Sequence, residues 1–227
     1  MGTQKAAETL LTYIHDGGPP IMWTLVGMFV LGLAIFLWRL IVILFAIINT
    51  KRLYKKVYKA LQNKESGLEE ASEICSKTPG PVATIIHAGL SRVHKGIDHV
   101  EKAVESAGAV EMAFLENGLV WLATIANIAP MLGFFGTVVG MIIAFRNIAA
   151  AGDVEPSIVA NGISIALITT AGGLLVAIPI QTAYNFCVYL IERVTVSMEE
   201  NASRFIETLV DLGYDINTGE SSSEVNA

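Results

Sequence analysis

Thr137, Ser164, Thr169 and Thr170 lie within apolar stretches that contain no Asp, Glu or His. A hydroxyl in such a setting donates one hydrogen bond and accepts two, so it can exchange bonds with an ion, a water or an acid without itself titrating. The amides Asn127, Asn161 and Gln181 in the same stretches add donors and acceptors, again without a charge. A proton path through a bilayer ordinarily needs a titratable group at depth. This chain alone therefore cannot supply a protonation switch, and if it conducts protons a second polypeptide must bring the carboxylate.

The hydroxyls are carried on two segments, Ala129–Phe145 and Asn161–Pro179. At about 100° per residue, Gly133, Thr137, Gly140 and Ala144 form one stripe. Gly162, Ala166, Thr169, Thr170, Gly173 and Ala177 form a face on the second segment. Gly136 and Gly140 add a further small-residue pair. Seams of this kind let helix backbones approach closely in a bilayer, and packing alone would account for them. Pro130 and Pro179 each remove one helical hydrogen bond and introduce a kink that neighbouring groups must compensate.

The rest of the chain is suited to holding these segments in a membrane. Of 227 residues 53% are hydrophobic, and the mean hydropathy is +0.56, too apolar for an ordinary soluble domain. Three runs are long enough to span a bilayer, at 21–48, 118–146 and 161–191. The expected order is an amphipathic N-terminal segment on the outer surface (1–20, helical spacing over Lys5 to Ile14), the first span, and a cytoplasmic helical region (49–117). The second span, an outer loop (147–160) and the third span follow, then a cytoplasmic helix (192–216) and a disordered tail (217–227). No cleaved leader is expected, because residues 1–20 lack a basic start followed by an apolar core.

Charge sets the orientation. Ten of the fifteen Lys and Arg residues lie between Lys51 and Lys102, led by Lys51, Arg52, Lys55, Lys56 and Lys59 directly after the first span. That places 49–117 and the C-terminus in the cytoplasm and the N-terminus outside. Helix-compatible stretches fall at 51–62, 67–76 and 81–95, and another begins near Asp98 and runs on unbroken into the second span. Arg39, inside the first apolar run, is expected to reach the inner headgroups with its long stem.

Soluble enzymology finds no support. The chain has no GxxxxGK[ST], GxGxxG or HExxH motif and no catalytic residue set. Cys75 and Cys187 make neither a disulfide framework nor a metal pair, and the four histidines lie outside the spans without a convergent ligand set. No cofactor and no metal site is expected. The net charge of −6 argues against a nucleic-acid partner.

Taken as an ordered pattern, the residues say more. Ala129-Pro130-x-Leu132-Gly133-x-x-Gly136-Thr137-Val138-x-Gly140-Met141 is followed by Val159-Ala160-x-Gly162-Ile163-x-x-Ala166-Leu167-x-Thr169-Thr170-Ala171-x-Gly173-Leu174-x-x-Ala177-Ile178-Pro179 and then by Tyr184-Asn185. This string resembles the ExbB/TolQ branch of the MotA/TolQ/ExbB proton channel family. The resemblance implies an all-α inner-membrane protein with three spans and long cytoplasmic extensions, assembled into a homopentameric ring. The ring would surround a single-span ExbD/TolR-like partner whose intramembrane aspartate takes up and releases the proton. By the motif, Thr137 and Thr170 would face the ion pathway beside that aspartate, with Thr169 and Ser164 close by. A neutral hydroxyl lining suits that place, because it adds no fixed charge that would trap a proton.

The implied function is an ion-driven motor subunit that couples the proton motive force to work by a periplasm-spanning partner. Members driving gliding or secretion fit the same pattern, and a non-conducting scaffold for a single-span partner is the alternative from another class. One position departs from the family: Ile165 stands where many ExbB-like chains have a glutamate. Without that carboxylate, water, a hydroxyl or a partner group must serve near the outer mouth, and sodium remains open as the coupling ion.

Overall fold

The computed structural model describes residues 19–48, 50–62, 67–152 and 156–214. The expected amphipathic helix at Lys5–Ile14 and the tail from Asn217 lie outside the described residues. Among the described residues seven helices follow in order: α1 (Pro19–Ile48), α2 (Thr50–Leu61), α3 (Gly67–Lys77), α4 (Pro81–Leu90), α5 (Ile97–Glu116), α6 (Leu119–Ala151) and α7 (Pro156–Asp211). A short 3-10 turn, Val93–Lys95, joins α4 to α5. No strand occurs among the described residues. Three stretches are long and apolar enough to cross a membrane: Pro20–Ile47, Ile97–Ala150 and Pro156–Asp211.

The chain divides into two compact units. The first comprises residues up to Arg39 together with Gly118–Cys187, so it holds most of α1, all of α6 and the first part of α7. It is built on contact between helix backbones. Along α6, Ala129, Gly133, Gly136, Gly140 and Ala144 are buried, and along α7 so are Gly162, Ala166, Thr169, Gly173 and Ala177. The contacts run in opposite directions along the two helices, Ala144 against Gly162 and Ala129 against Gly173, so α6 and α7 are antiparallel. A Cβ on Gly173 would lie 2.6 Å from the Ala129 carbonyl oxygen and 3.0 Å from Gly133 Cα. One on Gly133 would lie 2.9 Å from the Thr169 carbonyl oxygen. Neither obstacle is a flexible side chain that could swing away. Helix α1 closes the unit through Gly32, where a Cβ would meet Ile180 Cδ1 at 2.7 Å and Ile125 Cδ1 at 3.5 Å.

The second unit, Leu40–Asn117 with the chain from Val188 onward, has side chains between its helices. Leu53, Val57, Ala60 and Leu61 of α2 are 4% exposed or less. Cys75 of α3, Ile86 of α4 and Val100 of α5 are likewise buried, together with Phe205 and Leu209 of α7. Gly89 gives Phe205 its place, since a Cβ there would meet Phe205 Cε1 at 2.7 Å and Val104 Cγ2 at 2.9 Å. Helix α7 closes with a Schellman cap: Gly213 has φ +75°, its N–H donates to the Val210 carbonyl at 3.0 Å, and the Tyr214 N–H donates to the Leu209 carbonyl at 3.0 Å.

Several boundaries differ from the sequence reading. The stretch 81–95 is not one helix, because α4 ends at Leu90 and the chain turns through the 3-10 segment to Gly96, whose φ of +97° no bulky residue would adopt. The pattern from Asp98 does not run unbroken into the second span either. Asn117 leaves the helix at ψ 134° and Gly118 has φ +85°, the behaviour of an Asn-Gly turn pair. The connection expected at 147–160 is mostly helical: α6 continues to Ala151, Gly152 caps it with φ +71°, and α7 already begins at Pro156. Alanines favour the extension of α6, and a proline is well placed in the first turn of α7. Prolines also open α1, whose first residue is Pro19.

The seam predicts that Gly173→Val destabilises the protein by at least about 2 kcal/mol, through overpacking against backbone. Gly27, whose Cβ would meet nothing within 4 Å, serves as the control, and Gly27→Ala changes stability by no more than about 1 kcal/mol, toward greater stability. Thermal unfolding in one detergent measures both. In the second unit, burial pushes the Cys75 thiol from 9.0 up to about 11. Between these values the folded state keeps a proton that the unfolded chain releases, so stability is lost as pH rises through that window. Cys75→Ala is expected to flatten this alkaline loss, measured as the difference in melting temperature between the two proteins from neutral to alkaline pH.

Candidate functional site

The α6–α7 seam positions the hydroxyls and separates their fates. Thr169 is 0% exposed. Its Oγ1 donates to the carbonyls of its own helix, Ala166 at 2.9 Å and Ile165 at 3.0 Å. Its side chain fills the space over Gly136, whose Cβ would meet Thr169 Oγ1 and Cβ at 2.5 Å. Thr169, expected along an ion path, thus lies inside the protomer as part of the packing. The reason is local: two threonines in succession are separated by about 100° around the helix, so only one of them can point into the seam.

Thr170 is the other. It is half-buried, and its Oγ1 lies 3.3 Å from the Ala166 carbonyl on α7 and 3.4 Å from the Gly133 carbonyl on α6. One hydroxyl proton serves two distant acceptors, and bonds of this length are weak. Thr170 is therefore held loosely in comparison with Thr169, with both lone pairs available. Thr137, one turn along α6 from Gly133, is also half-buried, and it donates to the Phe134 carbonyl at 2.6 Å. Gly136 takes the buried seam position beside it, which leaves the Thr137 side chain at the seam's edge. Ser164 is exposed on the protomer surface, six residues before Thr170 and on a different side of α7. Thr170 thus reaches the Gly133 carbonyl, Thr137 follows Gly133 by one turn of α6, and Ser164 lies on another side of α7.

Two further polar side chains share the Thr170 face of α7. Gln181 Nε2 donates to Asn185 Oδ1 at 3.1 Å, and both residues fall near the angular position of Thr170 at about 100° per residue. Their eleven- and fifteen-residue separations from Thr170 are the signal that periodicity offered. Helix α7 runs on through Pro179 without interruption, and α6 does the same through Pro130.

Arg39, expected to extend its stem to the inner headgroups, is enclosed by the protein. It is 6% exposed, and its stem lies along the backbone at Gly118, where a Cβ would come within 3.4 Å of Arg39 Cδ. The arginine stem thus runs within van der Waals reach of the turn between α5 and α6. Among the described residues no group of three or more His, Cys, Asp or Glu side chains could hold a metal ion.

A model of the MotA/TolQ/ExbB proton channel family matches residues 77–200, more than half of the chain and the whole of the α6–α7 seam. A biopolymer transport protein ExbB homolog of Methanothermobacter thermautotrophicus is 37% identical over 61% of this chain and 48% of its own length. The Tol-Pal system protein TolQ of Haemophilus influenzae is 35% identical over 57% of this chain and 57% of its own. The biopolymer transport protein ExbB of Pseudomonas putida is 32% identical over 78% of this chain and 59% of its own. The chain thus spans only about half to three-fifths of the length of these three relatives. With three membrane-crossing stretches and a matched seam, the chain is a multi-pass inner-membrane protein that belongs to the MotA/TolQ/ExbB proton channel family, on its ExbB/TolQ branch.

Proposed function

We propose that this chain is the ring-forming subunit of an ion-driven motor of ExbB/TolQ type, working with a single-span ExbD/TolR-like partner that carries an intramembrane aspartate. The observation that carries the reading is the pair Thr137 and Thr170: two neutral hydroxyls at the edge of a rigid backbone seam, in spans without an Asp, Glu or His. A protonated partner carboxyl can donate to a threonine lone pair. Once it is ionised, the same carboxylate can accept from Thr170, whose proton leaves only two long bonds behind. Neither state is locked, so the acid can load on one side and unload on the other. Each elementary charge crossing 100 mV releases about 2.3 kcal/mol, enough to break several such bonds.

In this reading several copies, a pentamer by the family pattern, enclose the partner, with the N-terminus periplasmic and the basic region after α1 cytoplasmic. Names among the relatives support work on biopolymer transport or in a Tol-Pal type system. The absence of the glutamate at Ile165 leaves the outer mouth to water and hydroxyls such as Ser164.

Valine replaces threonine with little change in volume and so separates the hydroxyl from the packing. Thr170→Val and Thr137→Val are expected to retain assembly and partner binding while lowering ion-coupled activity by about tenfold or more, the loss of one hydrogen bond to a charged group. Thr169→Val is the internal control, because its hydroxyl bonds only its own helix: activity should persist, with a modest stability change. Proton uptake by reconstituted vesicles holding the purified complex is the measurement. Parent-like uptake in Thr170→Val would leave the scaffold reading in its place.

A further inference from the structure

The ion path uses none of the chain's strongest charge feature, helix α2. Its apolar side is consumed by the protein: Leu53, Val57, Ala60 and Leu61 are 1% to 4% exposed, and α2 packs on α3 and α4. At about 100° per residue, Lys55, Lys56 and Lys59 fall together on the opposite side. The helix contains no acidic residue. Lys55, Lys56 and Lys59 are exposed and make no ion pair among the described residues. In a chain of net charge −6, this is a local concentration of uncompensated positive charge.

Its position identifies what it meets. α1 crosses the membrane and ends at Ile48, and α2 begins at Thr50. Exposed Ile41, Leu44, Phe45 and Ile47 carry the lipid-contacting surface to the end of α1. The first turn of α2 therefore starts where the apolar surface of α1 ends, and a charge acts on a headgroup layer over about a Debye length, roughly 8 Å at physiological salt. The groups there in greatest supply are lipid phosphates. A soluble acidic partner would have to displace them.

We propose that the basic face of α2 is a binding surface for anionic phospholipid headgroups, in the leaflet into which α1 emerges. The lysines hold phosphate by charge, and their stems remain free to follow the fluid headgroup layer. The surface fixes the depth of α1 and the level of the second unit against the bilayer, whether or not the ring conducts ions.

Phe45, 69% exposed and three residues from the end of α1, offers a reporter position in the same unit. The full chain carrying Phe45→Trp, with Trp23→Phe, Trp38→Phe and Trp121→Phe and its native partners present, is reconstituted in equimolar phosphatidylglycerol and phosphatidylcholine. Quenching of that single tryptophan is then compared with the bromine carried on one lipid or on the other. The expected result is stronger quenching by phosphatidylglycerol at low salt. That preference should fall about fivefold or more in Lys55→Gln/Lys56→Gln/Lys59→Gln, persist in the matching triple arginine variant, and persist in Lys95→Gln/Lys102→Gln. Equal quenching by the two lipids in the parent would overturn the proposal, as would an undiminished preference in the triple glutamine variant or an equal loss in the Lys95/Lys102 control. Should the glutamine variant fail to assemble, a salt titration of the parent decides: the preference must weaken as salt rises, and a salt-independent preference refutes the surface.

Discussion

Where Gly173 meets Ala129 and Gly133, the main chains of α6 and α7 touch with no side chain between them. Lipid tails are as apolar as leucine, so helices in a bilayer gain little by hiding apolar side chains from them. Close van der Waals contact decides which faces pair. A seam of Gly and Ala provides that contact along most of α6 and has no rotamers to adjust. The two helices consequently act as one stiff element, and groups at its edge keep fixed positions. Thr137 and Thr170 gain their relation to each other from this stiffness, since Gly133 lies between them.

Charge is managed around the same element. The spans that form the seam contain no Asp, Glu or His, and their polar side chains at depth are hydroxyls and amides. Arg39, which the apolar run of α1 carries into the first unit, is taken inside the protein, with its stem along Gly118. The Asn117–Gly118 turn ends α5, and its glycine, at φ +85°, runs beside the arginine stem. Three exposed lysines, Lys55, Lys56 and Lys59, lie on one face of α2, with the apolar face already occupied by α3 and α4.

The two units are stabilised differently. In the first, small residues bring backbones together. In the second, Phe205, Ile86, Val100 and Leu209 fill the space between helices as in a soluble bundle, because hydrophobic burial from water is the available driving force there. Gly89 shows the contrast, since it makes room for the Phe205 ring rather than for another backbone.

The amino-acid order by itself determined the class of the molecule, its three membrane-crossing stretches, the small-residue seam and the hydroxyls upon it, because each is a matter of run length or helical period. Helix ends were less legible. Asn117–Gly118 is a turn pair that a strong helical pattern on both sides concealed, and the helical continuation to Ala151 depends on alanines that suit a helix or a loop nearly equally. Tertiary packing alone decided that Thr169 is enclosed while Thr170 stays at the edge, that Gly136 rather than Thr137 occupies the seam, and that Arg39 lies against Gly118. Periodicity fixes the angle between neighbouring side chains, but which of them faces inward is set by how closely a second helix can approach, and that distance is written in the partner's residues.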